Sequence, residues 1–127
     1  MIRLAIQKSG RLSEDSLNLI RECGISFVSS TYKLKTEATN FPLEILFLRD
    51  DDIPGYVQDG VADLGIVGQN VLVEAGHPEL EVEALGFSKC RLSLAIPRGA
   101  NYTSVADLQG LNIATSYPEI LGRYLPV

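Results

Sequence analysis

Apolar residues open the chain as a short run, Ile2-Arg3-Leu4-Ala5-Ile6, and the spacing then becomes helical, with Leu12, Leu17, Ile20 and Cys23 along one stripe. This predicts a first strand followed by a helix that Ser13 caps, Leu12 and Leu17 staple, and Gly24 stops. Tyr32-Lys33-Leu34-Lys35-Thr36 alternates as a strand does. Lys33 and Lys35 share one of its faces, which suits a solvated edge strand protected by lysines. Asn40 to Pro42 turns into Leu43 to Leu48, a nearly continuous apolar run of the kind that is covered on both faces.

The next stretch has almost nothing spare. The apolar run stops at Arg49-Asp50-Asp51-Asp52, where Asp52 is placed to cap a helix. Pro54 needs no amide partner so early in that helix, and the carboxylates suit its positive end. The helix ends near Gly60. Ala62-Asp63-Leu64-Gly65-Ile66-Val67-Gly68 reads as a second buried strand, its glycines allowing close backbone approach, and it feeds a helix from Asn70 to about Ala75. Strand, helix and strand make a βαβ unit, which places ligands at the carboxyl ends of the strands, near Arg49 to Asp52 and Gly68 to Asn70.

Further on, Leu80 to Gly86 and Cys90 to Ile96 read as strands, Ser104 to Gly110 as a capped short helix, and Leu111 to Ala114 as a buried strand. Thr115-Ser116-Tyr117-Pro118 then starts a last helix. Between residues 86 and 96 the chain passes from strand to strand without a linker, as a hinge crossing between two lobes does. The expected division is a first α/β lobe over 1–88, lacking return strands, and a hinge crossing with the first part of a second α/β lobe over 89–127.

Composition narrows the class. With 127 residues, 46% hydrophobic and 21% charged, the chain has enough apolar content for one ordinary core. No apolar stretch reaches the roughly 20 residues that span a bilayer, and the first strand begins without a signal-like apolar region, so the cytoplasm is the expected address. Cys23 and Cys90 lack metal-ligand spacing and read as reduced structural thiols, and His77 as an exposed loop histidine. A net charge of −5 argues against nucleic acid and anionic membrane as partners.

The charge is unevenly spread. Residues 50–88 hold nine Asp and Glu and no Lys or Arg; residues 1–49 hold seven basic and five acidic side chains, and residues 89–127 four and two. Two readings fit: ordinary solvated surface, or an anion held between basic outer segments. The basic loop Gln7-Lys8-Ser9-Gly10-Arg11 at the end of the first strand, followed by helix-start amides, is a plausible anion site, although it is no Walker motif and its spacing is weakly specific.

These residues carry a resemblance. Gln7-Lys8-Ser9-Gly10-Arg11-Leu12, Arg49-Asp50-Asp51-Asp52-Ile53-Pro54-Gly55, Asp63-Leu64-Gly65-Ile66-Val67-Gly68, Cys90-Arg91-Leu92-Ser93-Leu94-Ala95 and Ala114-Thr115-Ser116-Tyr117-Pro118 occur in the order seen in ATP phosphoribosyltransferases, and the first two segments look closer to the long form of that family. The resemblance covers essentially the whole chain. It implies a two-lobed α/β core like type II periplasmic binding proteins, with the second lobe truncated here. It also implies transfer of phosphoribose from phosphoribosyl pyrophosphate to N1 of the adenine of ATP, with Mg²⁺ holding the departing pyrophosphate, at the first step of histidine biosynthesis.

By the same resemblance Arg11 and Lys8 are the catalytic candidates, meeting phosphate or leaving-group oxygens. Arg49, Asp63, Cys90, Arg91, Thr115, Ser116 and Tyr117 are candidates for substrate binding, with Tyr117 placed to pack on adenine. Asp63 and the Asp50–Asp52 cluster are candidates for ribose hydroxyls or Mg²⁺, with Asp50 and Asp51 the weak metal candidates, while capping alone accounts for Asp52. The family's loop for the 5-phosphate of phosphoribosyl pyrophosphate and its histidine-sensing domain fall outside these residues. The isolated chain is therefore expected to be inactive and to associate over uncovered apolar surface, with another copy as a homo-oligomer, with a swapped segment or with an independent C-terminal chain. The rival reading is a non-enzymatic binding or interaction module of the same fold.

Overall fold

The structure, a computed structural model, describes residues 1–28 and 34–125. They fall into two compact units, Met1–Ser88 and Lys89–Val127.

The first unit is built on a four-stranded sheet in the order β2-β3-β1-β4. Its central pair is parallel: β1 (Ile2–Gln7) lies against β3 (Leu43–Leu48) with Ile2 opposite Leu43 and Gln7 opposite Leu48. The helix α1 (Arg11–Glu22) follows β1, and α2 (Ile53–Gln58) follows β3 and returns the chain to β4 (Leu64–Gly65), which is parallel to β1 on its other side. The crossover, which parallel strands require, here passes over β1, because β1 lies between β3 and β4. β2 (Lys35–Glu37) is an antiparallel edge strand with Lys35 in solvent; Tyr32 and Lys33, assigned to this strand from the sequence, lie outside the described residues.

Both sheet faces are covered, as the nearly continuous apolar run of β3 implied. Leu43, Ile45 and Phe47 pack with Leu4, Ile6, Ile20 and Ile66 on one side; Leu46 and Leu48 lie with Ala5, Ile53 and Ala62 on the other. Helix α1 lays Leu12, Leu17 and Leu19 on the first cluster and ends in a Schellman motif. Gly24, at φ 81°, donates to the Arg21 carbonyl (2.9 Å), and Ile25 donates to that of Ile20 (3.3 Å). Gly65 leaves room for α2: a Cβ there would stand 2.7 Å from Ile53 Cγ2 and 3.1 Å from Val57 Cγ2.

Several local expectations are corrected. Gly10 and not Ser13 occupies the cap position of α1, because glycine alone takes φ 94° and ψ −174° easily; the helix therefore starts earlier and buries Ser13 within it. Cys23 falls at the helix end, off the apolar stripe, and both Cys23 and Cys90 are exposed free thiols and not core residues. Asp52 makes no side-chain cap: a 3₁₀ turn over Asp50–Asp52 runs straight into α2, leaving Asp52 with helical dihedrals, and Asp50 Oδ1 instead accepts from the Asp51 amide (2.8 Å). The strand expected over Ala62 to Gly68 shrinks to Leu64–Gly65 at the sheet edge, with Leu64 in solvent. A short helix, α3 (Gln69–Glu74), follows it. His77 is half-buried and not exposed, its Nδ1 3.1 Å from Glu79 Oε1.

Leu80 to Gly86, Cys90 to Ile96 and Leu111 to Ala114 form no strands among the described residues. Their alternation is real, but a strand needs a ladder of partner amides and carbonyls, and none pairs with them. Leu92, Leu94 and Ile96 remain 40–48% exposed. In the second unit, the capped short helix expected over Ser104 to Gly110 is present as a 3₁₀ helix over Val105–Leu108, with Ser104 at its cap and Asp107 completing a capping box. The Asp107 carboxylate anchors it, accepting from the Thr103 amide (2.7 Å), the Thr103 hydroxyl (2.8 Å) and the Ser104 amide (3.2 Å), and these bonds hold its pKa below the ordinary value. α4 (Pro118–Tyr124) follows with proline in its first turn.

Candidate active site

In the first unit, the carboxyl ends of β1 and β3 are adjacent, and two loops leave from them. The Lys8 amide donates to the Leu48 carbonyl at 2.7 Å, so the loop carrying Lys8 and Arg11 starts beside the one carrying Arg49 and Asp50 to Asp52. Arg11 is the first residue of α1, where side-chain charge and the unpaired amides of the helix start attract an anion together. Lys8, Arg11 and Arg49 are all exposed. Arg49 Nε lies 3.6 Å from Asp51 Oδ1, but with Arg49 79% exposed the pair is screened by water, worth at most about 1 kcal/mol, and the guanidinium can exchange it for a phosphate.

Asp50 and Asp51 are committed locally, one to the Asp51 amide and the other to Arg49. Among the described residues no group of three or more His, Cys, Asp or Glu side chains converges to hold a metal ion. This donor set is no cation cage. It fits only Mg²⁺ whose other ligands are phosphate oxygens and water, as is usual for magnesium.

Asp63 stands elsewhere. It precedes β4, opposite the start of β1, where its Oδ2 accepts from the Arg3 amide (2.8 Å) and lies 4.0 Å from Arg3 Nε. Arg3 is four residues before Gln7 on β1, so Asp63 lies about 13 Å from the carboxyl edge at 3.3 Å per residue. Its visible work is to dock β4 to β1. The remaining candidates belong to the second unit: Cys90 and Arg91 are exposed near its start, and Thr115, Ser116 and Tyr117 lead into α4. There the Tyr117 amide donates to Thr115 Oγ1 (2.9 Å), which shapes the turn ahead of Pro118.

One polar side chain in the first loop has a role that the sequence does not disclose. Gln7, the last residue of β1, donates from Nε2 to the Ser9 carbonyl at 2.8 Å. It was visible only as a polar residue at the end of an apolar strand, and that pattern does not distinguish a solvated amide from one that holds a turn.

Comparison with known proteins bears on the whole chain. The family model described as "HisG: ATP phosphoribosyltransferase" matches residues 49–126. The chain is 62% identical to the ATP phosphoribosyltransferase of Cytophaga hutchinsonii and 50% identical to that of Phocaeicola vulgatus, in each case over 125 residues that make up 98% of this chain and 44% of the relative. It therefore spans less than half the length of these curated relatives. Among solved structures, the ATP phosphoribosyl transferase (HisG:HisZ) complex from Thermotoga maritima is similar with a TM-score of 0.52 and 31% identity, over 61% of this chain and 36% of that one. The α/β class expected from the sequence holds, and with it the likeness to periplasmic-binding-protein-like cores. On the extent of the family match and the strength of these identities, the chain belongs to the ATP phosphoribosyltransferase family.

Proposed function

We propose that this chain supplies the amino-terminal part of an ATP phosphoribosyltransferase catalytic core, which joins N1 of the adenine of ATP to the anomeric carbon of phosphoribosyl pyrophosphate and releases pyrophosphate, at the first step of histidine biosynthesis in the cytoplasm. The observation that carries this reading is the 62% identity to such an enzyme over 98% of the chain, together with the basic loop at the carboxyl edge of β1.

The reaction asks little covalent chemistry of the protein. The adenine nitrogen is the nucleophile and pyrophosphate the leaving group, so the work is to align two polyanions and to stabilise the charge that builds on the departing oxygens. Alignment of this kind supplies up to roughly 7–11 kcal/mol. Arg11 and Lys8 meet those oxygens, and Arg49 adds a second guanidinium from the neighbouring strand end. Asp50 or Asp51 would be the protein contact for Mg²⁺, which would offset the charge of the pyrophosphate group. In the second unit, Cys90, Arg91, Thr115 and Ser116 bind substrate and Tyr117 packs against adenine. The exposed alternating residues Leu92, Leu94 and Ile96 favour association, and a homo-oligomer is the expected state.

Product identity tests the proposal. The chain is mixed with ATP, phosphoribosyl pyrophosphate and Mg²⁺, alone and with the remaining length of the Cytophaga relative added as a separate polypeptide, and the products are resolved by chromatography and mass spectrometry. The expected result is phosphoribosyl-ATP in the complemented mixture only. ATP left unchanged in a mixture shown to contain the assembled polypeptides would contradict it.

A further inference from the structure

We propose that Gln7 is a positioning residue for the anion site, holding the peptide between Ser9 and Gly10 so that the Gly10 amide joins Lys8 and Arg11 in facing the bound phosphate groups. The inference rests on the reading of that loop given above.

Gln7 is fixed at its root, because it is the last ladder position of β1, opposite Leu48, and the next amide is bonded to the Leu48 carbonyl (2.7 Å). Its side chain has one task among the described residues: Nε2 donates to the Ser9 carbonyl at 2.8 Å. A trans peptide directs its carbonyl and its following N–H in opposite directions. Drawing the Ser9 carbonyl toward Gln7 therefore turns the Gly10 N–H away from Gln7, and that N–H has no acceptor among the described residues.

The backbone at Gly10 agrees. Its φ of 94° and ψ of −174° lie in a region essentially confined to glycine, and a Cβ at this position would lie 3.4 Å from Gln7 Nε2. That distance is ordinary van der Waals contact, so the backbone conformation and not crowding calls for glycine here. The Gln7 hydrogen bond and the Gly10 conformation together set the start of α1 and, with it, the root of Arg11. Gln7 stays behind the peptide that it orients, and so acts through Gly10 and Arg11 and not on the substrate itself.

The test uses inorganic pyrophosphate as the probe and the whole chain as the protein. Affinity is measured by calorimetry for the unaltered chain and for Gln7→Met, Gln7→Glu and Arg11→Ala, while the Gly10 amide is followed by nitrogen-15 NMR. Gln7→Met keeps the length of the side chain without a donor; Gln7→Glu keeps its shape but has no donor at neutral pH. Both are expected to weaken pyrophosphate about tenfold and to abolish the shift of the Gly10 resonance on titration, with the amides of Leu4 to Ile6 unmoved. A merely structural Gln7 would change thermal stability and leave the Gly10 response intact. Unchanged affinity in both Gln7 variants, with Arg11→Ala weakened, would overturn the role of Gln7 and leave the anion site standing. No pyrophosphate binding by the unaltered chain would overturn the reading of the loop along with it.

Discussion

Ile45→Ala is expected to destabilise the first unit by about 2–5 kcal/mol, the range for truncating a fully buried aliphatic side chain whose surroundings cannot collapse into the space. Ile45 has no exposed surface, and it sits in the middle of β3 with Ile6, Phe47 and Ile20 in the same cluster. Its backbone pairs with Leu4 on one side and Thr36 on the other, so the site is held by ladders in both directions and cannot close up. Against a typical domain stability of about 5–15 kcal/mol, such a loss is severe. Urea unfolding followed by circular dichroism measures it: the midpoint should fall substantially with little change in slope. A shift worth less than about 1 kcal/mol would mean that β3 is not the centre of the core.

Arg11→Ala should have the largest effect on chemistry while leaving that core alone. Arg11 is exposed at the first position of α1, makes no ion pair among the described residues, and supplies its charge where the helix-start amides also point. A charge-assisted hydrogen bond to a phosphate oxygen contributes about 1.5–3 kcal/mol, so its loss should lower kcat/KM for phosphoribosyl pyrophosphate in the complemented enzyme by roughly 10–100-fold. If Arg11 meets oxygens that gain charge only as pyrophosphate leaves, the loss falls on kcat; if it grips the ground state equally, the loss falls on KM. Arg11→Lys should recover only part of the activity, because an ammonium lacks the planar fork. Steady-state kinetics on folded variants decide the matter, and unchanged constants would remove Arg11 from the site.

The parts of the fold that could be read from the sequence are those whose signal is local and whose partner lies nearby. The apolar run Leu43 to Leu48 sits between β1 and β2, and its strand ends where the charges begin, at Arg49. Gly24 and Gly60 mark helix ends because each adopts positive φ, a property of the residue itself. Legibility failed where the outcome depended on the neighbours. Ser13 looks like a better cap than Gly10 until the backbone at residue 10 is known. Leu80 to Gly86, Cys90 to Ile96 and Leu111 to Ala114 have the period of strands, but period alone does not provide the strand that must lie alongside.

The candidate site divides in the same way. Lys8, Arg11 and Arg49 follow strands, and the rule that ligands gather at the carboxyl edge brings them together. Asp63 belongs to an equally suggestive motif yet precedes its strand, so the same geometry sends it to the opposite edge, where Arg3 takes it. Gln7 was hidden for a third reason. Its role lies in one hydrogen bond, from its side-chain amide to the Ser9 carbonyl, which no pattern of hydrophobic and polar positions reveals.

The edge of the sheet that receives the phosphates is the central question. The most direct measurement is a titration of the nitrogen-15-labelled chain with Mg²⁺ and pyrophosphate, mapping every amide that moves. Shifts are expected to concentrate in Lys8 to Leu12 and Arg49 to Asp52, with Arg3 and Asp63 silent. Shifts centred on Arg3 and Asp63, at the amino edge of β1, would contradict this expectation.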